Sequence, residues 1–235
     1  GKAESVGIFD PLRGNTGLAS IRNDDKGNTA VYLQLNPGET CILKTYTREI
    51  EGREWQYWEA SGNDREIKNW EVSFIDGGPS LPSEFSTVEP VPWNQKGGEE
   101  AQWFAGTAQY STSFQVSEEL DSLILDLGKV YHSARVIVNG QQVATLISPP
   151  FKVNISEAIH HGENELKVQV TNLAANRIRY MEQKELKRPH FYNIGLSFDD
   201  YGDLPPAVEW PVMESGLEGP VRIIPVSQKE EFPRK

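Results

Sequence analysis

The chain has 235 residues, a formal net charge of −11 and a single cysteine, Cys41. This acidity argues against binding to nucleic acid or to an anionic membrane surface, because both are held by clustered lysine and arginine. A single cysteine excludes an internal disulfide, and the sequence lacks the run of about 18 apolar residues that a transmembrane helix needs.

The N-terminal part of the chain contains short β-like segments. Residues 31–35 and 39–46 flank the turn sequence at residues 36–38, so both are predicted to be strands. The apolar surroundings of Cys41 predict a small core residue rather than a nucleophile. The aromatic cluster at residues 55–58 is expected to pack between these strands and the rest of the chain.

A polar, turn-forming stretch between residues 61 and 69 predicts a domain boundary. Residues 1–69 are therefore interpreted as an N-terminal β-rich segment, and residues 70–235 as a larger β-sandwich domain. The loop-rich stretch at residues 77–100 is too long for a simple connection and is expected to pack along the sandwich.

Beyond residue 69 the apolar residues alternate with a period of two, which is typical of strands with one wet face. The predicted strands are 70–74, 109–116, 122–127, 134–138, 142–147 and 165–170. Asn139 and Gly140 predict a two-residue hairpin turn with positive φ at both positions. Helical patterns are confined to residues 156–160 and 177–187. The sequence therefore predicts an all-β sandwich or barrel.

Seven motifs, in order, resemble those of the sugar-binding domain of family 2 glycoside hydrolases, and more closely those of the C-terminal sandwich of family 106 α-L-rhamnosidases. They are 103–110 (WFAGTAQY), 125–130 (LDLGKV), 134–140 (ARVIVNG), 149–155 (PPFKVNI), 162–168 (GENELKV), 170–177 (VTNLAANR) and 214–221 (ESGLEGPV). The resemblance implies a galactose-binding-like jelly roll attached to a catalytic domain outside this chain.

The function that this resemblance implies is that of a non-catalytic, carbohydrate-binding-type accessory domain of a rhamnosidase-like glycoside hydrolase. Such a domain would bind glycan or shape the rim of the active site. Its expected partners are carbohydrate and the parent catalytic domain, with no nucleic acid and no membrane. Relatives of this kind act mostly in bacterial envelopes or outside the cell, which implies a periplasmic or extracellular location. A structural module without sugar affinity and a stand-alone glycosidase are the alternatives.

Acidic residues gather between residues 193 and 215. A glycosidase needs two carboxylates at a defined separation, but neighbouring carboxylates on a loop are usually solvated, so no catalytic residue is assigned. Asp199, Asp200 and Asp203 are the candidate ligands for a structural calcium ion, because carboxylate oxygens and a nearby glycine suit that metal. The spacing of an EF-hand is absent, and a solvated acidic loop is the favoured interpretation. No other cofactor is predicted.

Aromatic side chains in loops are the candidates for sugar contact, because an aromatic ring can stack on the C–H face of a pyranose. Trp93, Tyr201 and Trp210 are selected as the candidate carbohydrate-binding residues. Packing in the core or against another domain is the competing explanation for each of them.

Overall fold

The computed structural model describes residues 2–116, 122–186 and 206–229. Its elements are, in chain order, β1 (Ser5–Phe9), β2 (Thr16–Leu18), β3 (Ile21–Asn23), β4 (Thr29–Val31), β5 (Ile42–Tyr46), β6 (Trp58–Ala60), β7 (Arg65–Glu66), β8 (Trp70–Gly78), β9 (Phe85–Thr87), α1 (Trp93–Lys96), α2 (Gly98–Ala101), β10 (Ala105–Val116), β11 (Ser122–Asp126), β12 (Lys129–Tyr131), β13 (Ser133–Val138), β14 (Gln141–Leu146), β15 (Lys152–Asn154), β16 (Gly162–Thr171), α3 (Ala175–Gln183), β17 (Gly216–Gly219) and β18 (Arg222–Gln228). Short 3-10 turns cover Ser156–Ala158 and Ala207–Glu209. The predicted all-β sandwich is confirmed.

A six-stranded antiparallel sheet, called the first sheet, has the order β14-β13-β16-β10-β8-β9. Its longest strand, β10, buries Ala108, Tyr110, Phe114 and Val116 at every second or fourth position. This alternation puts one face of the strand into the core, as the period of two predicts.

The second sheet has the order β15-β11-β18-β6, and β7 also pairs with β18. Leu123 and Leu125 of β11 are fully buried in the core between the two sheets. Ile124 lies between them and pairs with Ile224 of β18. Successive side chains of a strand point to opposite faces, so Ile124 and Ile224 lie on the outer face of this sheet.

The N-terminal residues form a three-stranded sheet, β2-β1-β5, and the hairpin β3-β4. Tyr57 joins parts of this segment through hydrogen bonds. Its hydroxyl donates to the carbonyl of Tyr32 and accepts from the backbone N–H of Ser20, at 3.0 Å each. The backbone N–H of Lys229 donates to the Tyr57 carbonyl. The aromatic cluster at residues 55–58 thus packs between the N-terminal strands and the sandwich, as expected.

Two expectations for the N-terminal segment are wrong. Strand β4 ends at Val31, so residues 32–35 are not a strand. Cys41 is half-buried rather than a core residue, and its neighbours Ile42 and Leu43 are 59% and 40% exposed. The reason is that β5 is an edge strand of a small sheet, where neither face is well covered.

The second sheet takes strands from both sides of the predicted boundary at residues 69 and 70. Strands β6 and β7 precede that boundary, yet they pair with β18 near the C-terminal end of the described residues. The division into residues 1–69 and 70–235 stays a prediction.

The turns at the end of the sandwich opposite α3 rest on two asparagines. Asn139 and Gly140 have φ of 50° and 80°, as predicted for their hairpin. Asn164 is fully buried. Its carbonyl oxygen accepts from Asn139 Nδ2 and from the N–H of His160, and its Nδ2 donates to the carbonyls of His160 and Gly162. The motifs around residues 139 and 164 therefore serve the fold.

Candidate functional site

The candidate site lies at one end of the sandwich, which we call the α3 end. In the first sheet, β10 and β13 begin and β16 ends at this point, since Thr171 pairs with both Thr107 and Ser133. We define the α3 end as residues 102–104, 131–132, 172–183 and 207–215. Loops, helix α3 and the last residue of β12 form its surface.

Hydrogen bonds from two asparagines hold this end together. Asn172 accepts from the N–H of Gly106 at 3.0 Å and donates to the Phe104 carbonyl at 2.9 Å and to Ser215 Oγ at 3.0 Å. Asn176 is buried, accepts from the N–H of Met213 at 2.8 Å and donates to the Met213 carbonyl at 2.6 Å. The motif at residues 170–177 thus fixes α3 and the segment before β17 to the end of the first sheet.

An aromatic stack forms one part of this surface. The rings of Trp103 and Tyr180 are stacked with centroids 4.2 Å apart and planes 13° apart, and both residues are half-buried. The guanidinium carbon of Arg177 lies 5.5 Å from the centroid of the Tyr180 ring, and Lys184 Nζ lies 5.9 Å from it. In this stack each ring covers one face of the other, and the two cations lie beside Tyr180, so these contacts fix both rings at the surface of the α3 end.

Trp210 lies on the neighbouring segment and is 37% exposed. Its backbone carbonyl accepts a hydrogen bond from Arg179 Nε at 3.0 Å. On the same segment, the N–H of Val208 donates to Glu182 Oε2 at 2.9 Å. These two contacts tie the residues around Trp210 to helix α3, so that its ring is presented from a fixed backbone.

Two acidic side chains influence Tyr131, namely Glu214 of the α3 end and Glu218 of β17. Glu218 accepts hydrogen bonds from Tyr131 Oη and from Lys129 Nζ, and these lower the pKa of its carboxyl. The same bond from Tyr131 raises the pKa of the phenol to about 12, with burial and the charges of Glu218 and Glu214 adding to the effect. Tyr131 is therefore a neutral donor at physiological pH, and Glu218 a charged acceptor that is already paired.

The candidate carbohydrate-binding residues that were selected from the sequence do not lie together in the structure. Trp210 lies in a loop of the α3 end and is partly exposed, which agrees with its selection as a loop aromatic. Trp93 is 0% exposed and packs edge-on against Phe74 and Phe104, so its selection as a sugar platform is corrected: the ring belongs to the core. Tyr201 and the candidate calcium ligands Asp199, Asp200 and Asp203 lie outside the described residues.

Sequence reasoning missed the partnership between Trp103 and Tyr180. The spacing of Arg177, Tyr180 and Lys184, three and four residues apart in a predicted helix, indicates that they share one face, but it does not identify Trp103 as the partner. No group of three or more histidine, cysteine, aspartate or glutamate side chains that could hold a metal occurs within residues 2–116, 122–186 and 206–229. None of the described helices is long and apolar enough to cross a membrane.

Two facing antiparallel sheets, with the sequence motifs at their turns, define a galactose-binding-like β-sandwich of the type found in glycoside hydrolases. Residues 87–202, just under half of the chain, match the family described as "Glycosyl hydrolase 2 galactose-binding domain-like", so this part of the chain is similar to that family.

Two known proteins show how far the similarity extends. A Formosa agariphila protein named "Putative beta-glucuronidase" is 39% identical over 119 residues, which is 46% of this chain and 10% of that protein. The structure of a rhamnosidase from Novosphingobium sp. PP1Y is similar over 95% of this chain and 21% of its own, with 26% identity and a TM-score of 0.70. The chain thus spans about a tenth and about a fifth of these relatives.

Proposed function

We propose that this chain is a non-catalytic accessory domain of a rhamnosidase-like glycoside hydrolase, and that its α3 end binds glycan or forms part of the active-site rim of the parent enzyme. The observation that carries the proposal is the similarity of nearly the whole chain to about one fifth of a rhamnosidase. The catalytic carboxylates of the parent enzyme are then placed in the remaining part of that polypeptide.

The chemistry of the α3 end supports contact with a sugar. A pyranose offers an apolar C–H face for a ring such as that of Trp210 or Trp103, and hydroxyl groups that need donors and acceptors. Tyr131 donates its single hydroxyl hydrogen to Glu218, so the remaining lone pairs of Tyr131 Oη and of the Glu218 carboxylate supply acceptors. Arg177 and Lys184 supply donors beside the stack.

A second candidate function is docking of the catalytic domain without sugar affinity. Apolar side chains at and beside the α3 end favour it, since Leu173, Val212 and Met213 are exposed together with Trp210. Exposed apolar side chains that occur close together often mark an interface with another domain. The α3 end would thus bind glycan under the first proposal and the catalytic domain under the second.

The test is calorimetric titration of the 235-residue chain with rhamnose, galactose and plant-wall oligosaccharides. Trp210→Ala and Trp103→Ala are expected to remove most of the heat of binding, because each substitution removes apolar area that the sugar would bury, at roughly 25 cal/mol per Å². The matched control is Tyr46→Ala, which removes a half-buried aromatic ring next to Lys44 in the N-terminal sheet.

Absence of heat with every sugar at millimolar concentration would exclude glycan binding by the chain alone. The docking function would then be tested by mixing the chain with its separately produced catalytic domain. The proposed location is the periplasm or the exterior of the cell, which fractionation of the source organism would test.

A further inference from the structure

A groove lies between the N-terminal segment and the outer face of the second sheet, and it is separate from the residues that define the α3 end. Its volume is about 510 Å³, within the range of about 300–1,000 Å³ that is usual for small-molecule sites. One side is formed by β11, β18 and the edge strand β6 of the second sheet, and the other by residues 34–36, 39–41 and 55–56 of the N-terminal segment.

The floor of the groove is apolar and its side is aromatic. Ile124, Ile224 and Val226 contribute from β11 and β18, Trp58 contributes from the edge strand β6, and Trp55 contributes from the segment before β6. Both tryptophans are half-buried, so each ring is held in place while part of it stays accessible. Aliphatic and aromatic surface of this kind suits the C–H face of a sugar ring.

The opposite rim is polar and already ordered. Arg13 donates to Asp10 Oδ2 at 3.1 Å and to Glu39 Oε1 at 3.0 Å. Glu39 Oε2 accepts from the backbone N–H of Asn36 at 2.7 Å and from its side-chain amide at 2.9 Å. Burial opposes the ionisation of Asp10, but hydrogen bonds from Arg13 and from the backbone outweigh it and lower the pKa of the carboxyl.

The position of Trp58 is fixed from its backbone. Gln34 Nε2 donates to the Trp58 carbonyl and Gln34 Oε1 accepts from the Trp58 N–H, at 2.8 Å each. On the second sheet, Nζ of Lys152 in β15 lies 3.1 Å from Oδ2 of Asp126 in β11. The groove therefore has rigid walls before any ligand enters, which reduces the entropy lost on binding.

We propose that this groove binds a neutral oligosaccharide. The charges disfavour an anionic ligand, since Arg13 is shared by two carboxylates, Asp10 and Glu39, and Lys152 is paired with Asp126. These paired groups retain lone pairs and N–H groups for sugar hydroxyls, while the tryptophans and the apolar floor receive the rings. The inference rests on the proposed carbohydrate function, but it assigns a second site on a different surface.

Cys41, the only cysteine of the chain, provides the test because it lines the groove and is half-buried. The rate at which a thiol reagent modifies Cys41 is measured with and without neutral rhamnose- or galactose-containing oligosaccharides. A ligand at ten times its Kd is expected to slow the reaction about tenfold, because only the unoccupied fraction reacts. The matched control is Cys41→Ser with Val88→Cys, which moves the thiol to an exposed position on another part of the surface.

Three variants assign the protection to the groove. Trp55→Ala should abolish it, Trp55→Phe should retain it, and Trp210→Ala should leave it unchanged. Thermal unfolding of each variant shows whether it is folded, and a folded Trp55→Phe keeps the test valid if Trp55→Ala unfolds.

Other outcomes overturn the inference. If oligosaccharide binds by calorimetry but leaves Cys41 unprotected, and Trp210→Ala removes the heat, the groove is not the site although the proposed function stands. If Cys41 becomes protected as protein concentration rises without ligand, a second copy of the chain occupies the groove. Absence of both heat and protection contradicts sugar binding at either site.

Discussion

Asn176→Asp is the most informative single change at the α3 end. Asn176 pairs with both backbone groups of Met213, accepting from its N–H at 2.8 Å and donating to its carbonyl at 2.6 Å. An aspartate keeps the shape and the acceptor but replaces the donor with a second carboxylate oxygen. That oxygen would face the Met213 carbonyl in a buried position.

The expected loss of unfolding free energy at pH 7 is about 3 kcal/mol, from one lost hydrogen bond, one buried carbonyl without its donor and a partly buried charge. Protonation of the introduced carboxyl would restore a donor. The folded state therefore favours the protonated form, and the pKa of this carboxyl is raised above its unfolded value.

The sign of the pH dependence follows from this raised pKa. The stabilising effect of the protonated form is complete below the unfolded pKa of about 3.9 and is lost as pH rises through the folded pKa. Relative to the unmodified chain, the deficit should shrink by about 1.4 kcal/mol for each pH unit as the pH falls from the raised pKa toward about 4.

Urea unfolding at several pH values measures this deficit. The matched control is Asn63→Asp, at an exposed position with no side-chain hydrogen bond among those described, where we expect a change within about 0.5 kcal/mol. A deficit at Asn176 that equals the control, or one that grows as the pH falls, would refute the assigned hydrogen bonds.

Three further results are expected. Asn164→Ala should lower the free energy of unfolding, measured in urea, by about 3–5 kcal/mol, because Asn139 Nδ2 and the backbone N–H of His160 would lose their acceptor. A decrease below about 1 kcal/mol would contradict this. Ultraviolet titration should show a phenol with a pKa of about 12 that disappears in Tyr131→Phe and moves down in Glu218→Gln; stability gained from this group is present below pH 10 and falls between about pH 10 and 12. Gly216→Ala should markedly lower the melting temperature, since φ is +112° and a methyl would meet Tyr110 and Trp93, whereas Gly78→Ala has open space and should change little.

The strands of the sandwich were predictable because their signals are local. The buried positions alternate along much of β8 and β10 and along all of β13, and the Asn139-Gly140 pair specifies its turn through its own backbone conformation. A strand with one buried face and a turn with positive φ can therefore each be recognised from the residues that form them.

The burial of Trp93 was not predictable in this way. Its loop is rich in proline and glycine, which indicates a surface segment. Its ring packs beside Gly216, where an added methyl would lie 2.7 Å from Trp93 Cε3. The space for the ring thus depends on the absence of a side chain more than one hundred residues away, and no local pattern reports that complementarity.

The incomplete burial of Cys41 and the pairing of β6 with β18 also depend on residues that are distant in the sequence. The apolar run around Cys41 suggested a core strand, but its burial depends on which strands flank it, and β5 has a neighbour on one side only. The stack of Trp103 on Tyr180 joins the start of β10 to α3, which become neighbours through the pairing of β10 with β16.

The arrangement of the N-terminal segment follows from the second sheet. Strands β11 and β18 carry apolar residues toward the core at Leu125 and Ile223, and toward the outside at Ile124 and Ile224. A sheet with two apolar faces needs a cover on each, because exposed apolar surface raises the free energy of the folded state. The first sheet covers one face and residues 34–56 cover part of the other, where Val226 is buried although it lies outside the main core. Since this outer cover is incomplete, the apolar residues that attract the N-terminal segment also form the floor of the groove beneath it.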